Sequence, residues 1–146
     1  MAKEEVDVVL AVLLHPNKTH CLLAIRPEGV HLSGYWEFPG GKVGITEGYE
    51  QALAREVTEE LGLDISTGNS LLFKTVNHCY DEVDVSLNSY LITDAVPADY
   101  LAIGVDGKGA EGQVIRWVAF SELSSYHFPV ANREIIAALK RNKSLV

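Results

Sequence analysis

The stretch Arg55-Glu56-Val57-Thr58-Glu59-Glu60 sets three carboxylates behind one arginine, and that crowding is the strongest hint of chemistry in the chain. At about 100° per residue of an α-helix, Glu59 falls about 60° to one side of Glu56 and Glu60 about 40° to the other. The three acids therefore share one narrow arc. Leu53, Val57 and Leu61 form an apolar stripe beside that arc, suited to facing a core. Arg55 flanks the cluster and reaches Glu59 at the i, i+4 spacing. Like charges on one helical face raise one another's proton affinity unless something positive lies between them. Hard carboxylate oxygens suit Mg²⁺ or Mn²⁺, ions that also take phosphate oxygens. A solvated acidic face is the other reading, and charge pattern alone leaves both open. An EF-hand calcium loop is excluded, because no D-x-[DN]-x-[DN]-G run exists.

The elements that must position these acids follow from patterning. The spacing predicts a helix over 47–61, stopped by Gly62. Before it, residues 27–46 hold five glycines and read as loop. Two aliphatic runs, 6–14 and 20–26, flank the turn formers His15 to Lys18 and predict an antiparallel strand pair. Further strands are expected at 71–79, 83–93 and 113–119, and a second helix at 131–141. The stretch 97–112 is long and carries four glycines; loops of this length in a compact domain are usually functional or disordered. The expected class is α+β, a mixed sheet covered by helices on its faces.

The chain has 146 residues, 47% of them hydrophobic, which suits a single domain over 1–146 with a sizeable core. Its net charge of −8 argues against gripping polymeric nucleic acid. The apolar run Val8 to Leu14 falls far short of the roughly 20 residues a membrane span needs, and no secretory cleavage site follows it. Two cysteines, Cys21 and Cys79, form no disulfide framework or zinc spacing, so a reducing, cytoplasmic setting is expected.

Over Gly41-x5-Glu47-x7-Arg55-Glu56-Val57-x-Glu59-Glu60-x-Gly62-Leu63, the chain resembles the Nudix box of the Nudix hydrolase family without a mismatch. The resemblance implies an α/β/α sandwich and metal-dependent hydrolysis of a nucleoside diphosphate linked to another group. By that resemblance Glu56 and Glu60 match the principal metal ligands, with Glu59 beside them, the Gly40 carbonyl joining them and Arg55 orienting the acids. Which glutamate takes a proton stays open. A cation held there would neutralise phosphate charge and lower the pKa of a water aligned for in-line attack.

Residues outside the box resemble the MutT branch, which clears oxidised guanine nucleotides. Arg26 and His31, ahead of Trp36-Glu37-Phe38-Pro39-Gly40-Gly41, stand where that branch places a phosphate-holding arginine and a histidine. Phe38 reads either as a wall of the base pocket or as a core aromatic. Glu111-Gly112-Gln113 resembles the loop that brings a further metal-binding or basic glutamate into the site. Phe128-Pro129-Val130-Ala131-Asn132 resembles the segment whose asparagine reads the base edge; Asn132 is also well suited to cap a helix. At 82–83 the chain departs from the branch, with Glu82-Val83 in place of Asp-Arg.

The letters Gly107 to Gly112 match G-x-G-x-x-G, but they lead into a strand rather than from a strand into a helix, so a dinucleotide fold is rejected. The resemblance thus implies a Mg²⁺-dependent nucleoside triphosphate pyrophosphohydrolase of the type that acts on 8-oxo-dGTP, as a monomer or homodimer. Two further readings stand beside it. One keeps the box but takes a pyrimidine triphosphate, a dinucleoside polyphosphate or ADP-ribose. The other is a nucleotide sensor without turnover, which need not keep all three acids.

Overall fold

The computed structural model describes residues 3–26, 29, 34–104 and 106–141. In chain order these form β1 (Glu4–Leu13), β2 (His20–Ile25), β3 (Trp36–Glu37), β4 (Gly40–Lys42), α1 (Tyr49–Leu61), β5 (Asn69–Cys79), β6 (Val83–Thr93), α2 (Ala98–Leu101), β7 (Gly107–Lys108), β8 (Val114–Ala119) and α3 (Arg133–Arg141), with short 3₁₀ turns between. The α+β class stands, with one refinement. Among the described residues the strands form two four-stranded sheets, β4-β1-β6-β5 and β3-β2-β8-β7. The first is mixed, because β1 runs parallel to β6 and antiparallel to β4; the second is antiparallel throughout.

The expected pairing of 6–14 with 20–26 is not formed. A single bridge, Leu14 to Cys21, joins the two runs, and the turn at 15–19 carries the chain from one sheet to the other. The reason lies in composition. Val9 to Leu14 and Cys21 to Ala24 are apolar at every position, which marks strands buried on both faces rather than a hairpin with one wet side. Accordingly Val9, Ala11 and Leu13 pack with Leu53, Val57 and Leu61 of α1. The alternate residues Leu10, Val12 and Leu14 pack with Ile135, Ile136 and Leu139 of α3. Helices thus cover opposite faces, giving the α/β/α sandwich.

The long segment 97–112 has structure of its own. It closes over the C-terminal end of α1, where a helix leaves carbonyls without internal partners. The Glu60 carbonyl accepts from the Ala110 N–H at 2.8 Å and from Gln113 Nε2 at 2.8 Å. The Tyr100 hydroxyl donates to the Leu61 carbonyl. Trp117 Nε1 in turn holds the Tyr100 carbonyl at 3.0 Å. No helix among the described residues is long and apolar enough to cross a membrane.

Candidate active site

The order of burial along α1 follows the helical wheel. Glu60, nearest the apolar stripe, sits deepest; the Glu56 side chain is 17% exposed and that of Glu59, on the far side, 53%. Arg55 ties the outer part of the cluster together. Its Nε and Nη2 grip both oxygens of Glu47 at 2.7 and 2.9 Å, and its Nη1 donates to Glu56 at 2.9 Å and more weakly to Glu59 at 3.4 Å. Nη2 also reaches the Lys42 carbonyl at 3.1 Å. The guanidinium fork, with the Gly44 N–H, holds Glu47 down at about 2. Glu47 is thereby a brace between the glycine loop and the helix.

That loop lies directly on the acids. The Gly40 N–H donates to Glu60 Oε2 at 2.9 Å. A Cβ at Gly41 would stand 2.5 Å from the Glu56 carboxyl, so any larger residue there would push that carboxyl aside. Gly40 has φ +154, and a Cβ there would run into the Val9 carbonyl. Gly40 is thus required by the sheet, while Gly41 leaves the Glu56 carboxyl its place.

On the inner side, Glu60, Glu37 and Glu111 line one cavity of about 450 Å³ together with Arg26 and Gln113. Burial pushes Glu60 up to about 8, against the pull of the Gly40 N–H, and the negative charges of Glu37, Glu56 and Glu111 add to the rise. Burial likewise raises Glu56 and Glu37, each partly offset by its arginine, with Glu111 contributing to both. Arg26 Nη1 bonds Glu37 Oε2 at 2.8 Å. Glu37 is a site residue that sequence reasoning missed. Only the strand register reveals it: Ala24 pairs with Glu37, which places Arg26 diagonally across from the acid.

The other candidates are placed as follows. Phe38 is 1% exposed and packs against Phe128 with ring centroids 5.5 Å apart, beneath the site in the core. Asn132 is also buried, in the 3₁₀ turn that leads into α3, with its amide toward the Pro129 carbonyl at 3.5 Å. Beside that turn lies a cleft of about 810 Å³ lined by Tyr35, Tyr80, Val83, Phe128, Val130 and Arg133, among others. Tyr80 is braced edge-on by His78, and Tyr35 by His127. His31 lies outside the described residues.

Among the described residues no three acidic, histidine or cysteine side chains close into a ready-made metal cage. Glu60 Oε2 accepts from the Gly40 N–H, and Glu56 Oε1 accepts from Arg55 Nη1. The donor set nevertheless fits a hard divalent cation. Buried oxygens whose proton affinity is raised by one another's charge are the arrangement such an ion relieves.

Comparison with known proteins gives a consistent answer. The family model for the NUDIX domain matches residues 9–138. An 8-oxo-dGTP diphosphatase of Proteus vulgaris is 35% identical over 94 residues, which are 64% of this chain and 81% of that protein. A CTP pyrophosphohydrolase of Escherichia coli (strain K12) is 44% identical over 63 residues, 43% of this chain and 45% of that one. A solved MutT structure, from work on Aliivibrio salmonicida and Vibrio cholerae, superposes with a TM-score of 0.74 at 28% identity, covering 94% of this chain and 98% of its own.

Proposed function

This chain belongs to the NUDIX family and is a Nudix hydrolase, and we propose that it hydrolyses an oxidised purine nucleoside triphosphate of the 8-oxo-dGTP type to the monophosphate and pyrophosphate, with Mg²⁺, in the cytoplasmic nucleotide pool. Enzymes of this family generally need a divalent metal. One observation carries the reading: Glu60, Glu37, Glu111 and Arg26 line one cavity, while a cleft of base-accommodating size is lined by Tyr35, Tyr80 and Phe128.

In this reading Glu56, Glu59, Glu60 and Glu111, with the Gly40 carbonyl, are the groups that would hold the cation. The cation's contribution is charge neutralisation on the phosphates and a more acidic water. Arg55 keeps Glu56 and Glu59 from turning away, and Glu37 braces Arg26 so that its guanidinium faces the phosphates. Tyr35 and Tyr80 provide ring faces for the base. The carboxylate arc, buried on one side and open on the other, would receive a proton as water bonds to one of the two phosphorus atoms flanking the α,β-bridging oxygen. The bond from that phosphorus to the bridging oxygen breaks, which releases the monophosphate and pyrophosphate.

A second reading is favoured by a specific feature. Val83 lines the base cleft where the MutT branch would put an arginine, and Arg133 of α3 lines the same cleft. A pyrimidine triphosphate is the substrate that this substitution, together with the relationship to a CTP pyrophosphohydrolase, would suit. Assay of 8-oxo-dGTP, dGTP, CTP and dCTP with Mg²⁺ tests both. Monophosphate and pyrophosphate from 8-oxo-dGTP at the highest kcat/KM supports the first reading, preference for a cytidine nucleotide the second, and no release from any of the four overturns both.

A further inference from the structure

Glu111 stands at the tip of a tight hairpin between β7 and β8. Its ends are closed by the Gly109 N–H to the Gln113 carbonyl at 2.8 Å, and its turn by the Gly112 N–H to the Gly109 carbonyl at 3.0 Å. A hairpin tip is ordinarily the most mobile part of such a unit. Here one side chain fastens it. Gln113 Oε1 accepts the Glu111 N–H at 3.0 Å, while Gln113 Nε2 donates to the Glu60 carbonyl at 2.8 Å. The Ala110 N–H makes a second bond to that same carbonyl at 2.8 Å.

The amide of Gln113 therefore spans, through two hydrogen bonds, the backbones of two carboxylate-bearing residues in one cavity. Its two ends are chemically distinct, an acceptor toward Glu111 and a donor toward Glu60, and a glutamine matches both where a glutamate could not. The space is made by Gly109. A Cβ there would stand 2.5 Å from the Gln113 carboxamide carbon, and Gly109 does not need a left-handed backbone. The glycine serves the amide rather than the turn.

We propose that Gln113 is a positioning residue, which sets the distance of Glu111 from the acid face of α1 by bridging the Glu111 N–H to the Glu60 carbonyl. The inference rests on Glu111 being a working carboxylate of the proposed hydrolase. It predicts that loosening the amide has the same effect as displacing Glu111 itself.

The test is a double-mutant cycle with Gln113→Ala and Glu111→Ala in the full chain, combined with ¹⁵N relaxation of the Glu111 backbone amide without metal or nucleotide. Gln113→Ala is expected to lower kcat about 10- to 100-fold, the range for residues that orient a metal's ligands, with little change in KM. The double variant should be no slower than Glu111→Ala alone. Gly109→Ala, which removes no hydrogen-bonding group, should reproduce the loss and add nothing to Gln113→Ala. In Gln113→Ala the order parameter of the Glu111 N–H should fall toward that of a flexible loop.

Losses that multiply, a wild-type kcat in Gln113→Ala, or an unchanged order parameter each overturn the proposal. An impaired Glu111→Ala beside a normal Gln113→Ala overturns the proposal alone. A fully active Glu111→Ala removes the role of Glu111 and the proposal with it. Where no nucleotide is turned over, the proposed activity fails, and the relaxation measurement still decides the bridge.

Discussion

The N–H of Gly40 donates to Glu60 Oε2 at 2.9 Å, joining the backbone of the glycine loop to the deepest carboxylate of the acid helix. An amide oxygen at position 60 could accept the same bond while carrying no charge. Glu60→Gln is therefore expected to fold normally, and its metal-free melting temperature at neutral pH should equal or exceed that of the wild type, because a carboxyl that folding forces to take up a proton is replaced by a neutral amide. Turnover should fall by at least about 100-fold, more than is typical for a residue that merely supports a ligand. Steady-state kinetics beside a thermal melt separates the two effects; retained activity removes Glu60 from the machinery.

The metal-free protein should lose stability as pH rises. Burial, with neighbouring acids, lifts Glu60 to about 8 in the folded state, against an unfolded value near 4.5. Between those values the native state binds more protons than the unfolded state, so stability falls with increasing pH. Glu56 and Glu37 are raised and contribute in the same direction. Glu47 is lowered and acts oppositely, but its contribution is lost only on acidification below about 4.5. Melting temperatures in EDTA should decline from pH 5 to pH 8, and Mg²⁺ should restore most at pH 8. A flat profile in EDTA contradicts the electrostatics described for the cluster.

Gly41→Ala tests the closeness of loop and helix. The added methyl would have to displace the Glu56 carboxyl, from which it would stand 2.5 Å. Gly41 needs no left-handed backbone, so the effect should appear in catalysis rather than in folding. Displacing a reacting or ligating group by about 1 Å can cost about 100-fold in rate, and a loss of that order in kcat is expected. Divalent-ion affinity, read by Mn²⁺ electron paramagnetic resonance, should weaken in parallel.

Tyr80→Ala addresses the base cleft. Stacking of a base on an aromatic ring is worth about 1–3 kcal/mol, so KM should rise about tenfold while kcat holds. The same substitution should leave hydrolysis of a nucleotide lacking a base no worse than in the wild type. Equal losses for both substrates would place Tyr80 outside recognition.

Local features of the site were readable in the sequence because they repeat along one element. The arc of Glu56, Glu59 and Glu60 follows from helical spacing, and so does their rank in burial, with Glu60 beside the stripe of Leu53, Val57 and Leu61. What depended on partners far along the chain was not readable. The turn at His15 to Lys18 suggested a hairpin, but the parallel ladder that claims β1 pairs Glu4 with Val83 and Leu13 with Ile92, which no local pattern announces. Glu37 was missed for the same reason, since its meaning comes from standing across from Arg26. The motif leaves Phe38 open between a ligand wall and the core, and the structure buries it against Phe128.

The parallel ladder of β1 has a consequence for how the protein comes into being. Leu10, Val12 and Leu14 serve one core and Val9, Ala11 and Leu13 the other, yet the main partner of this strand ends only at Thr93. Contacts so distant in sequence are slow to form and leave apolar surface exposed meanwhile. On the ribosome, the segment from Gly41 to Leu63 emerges with every motif letter in place and no sheet to rest on. A fragment ending before residue 83 should consequently aggregate rather than hydrolyse anything, however complete its signature reads.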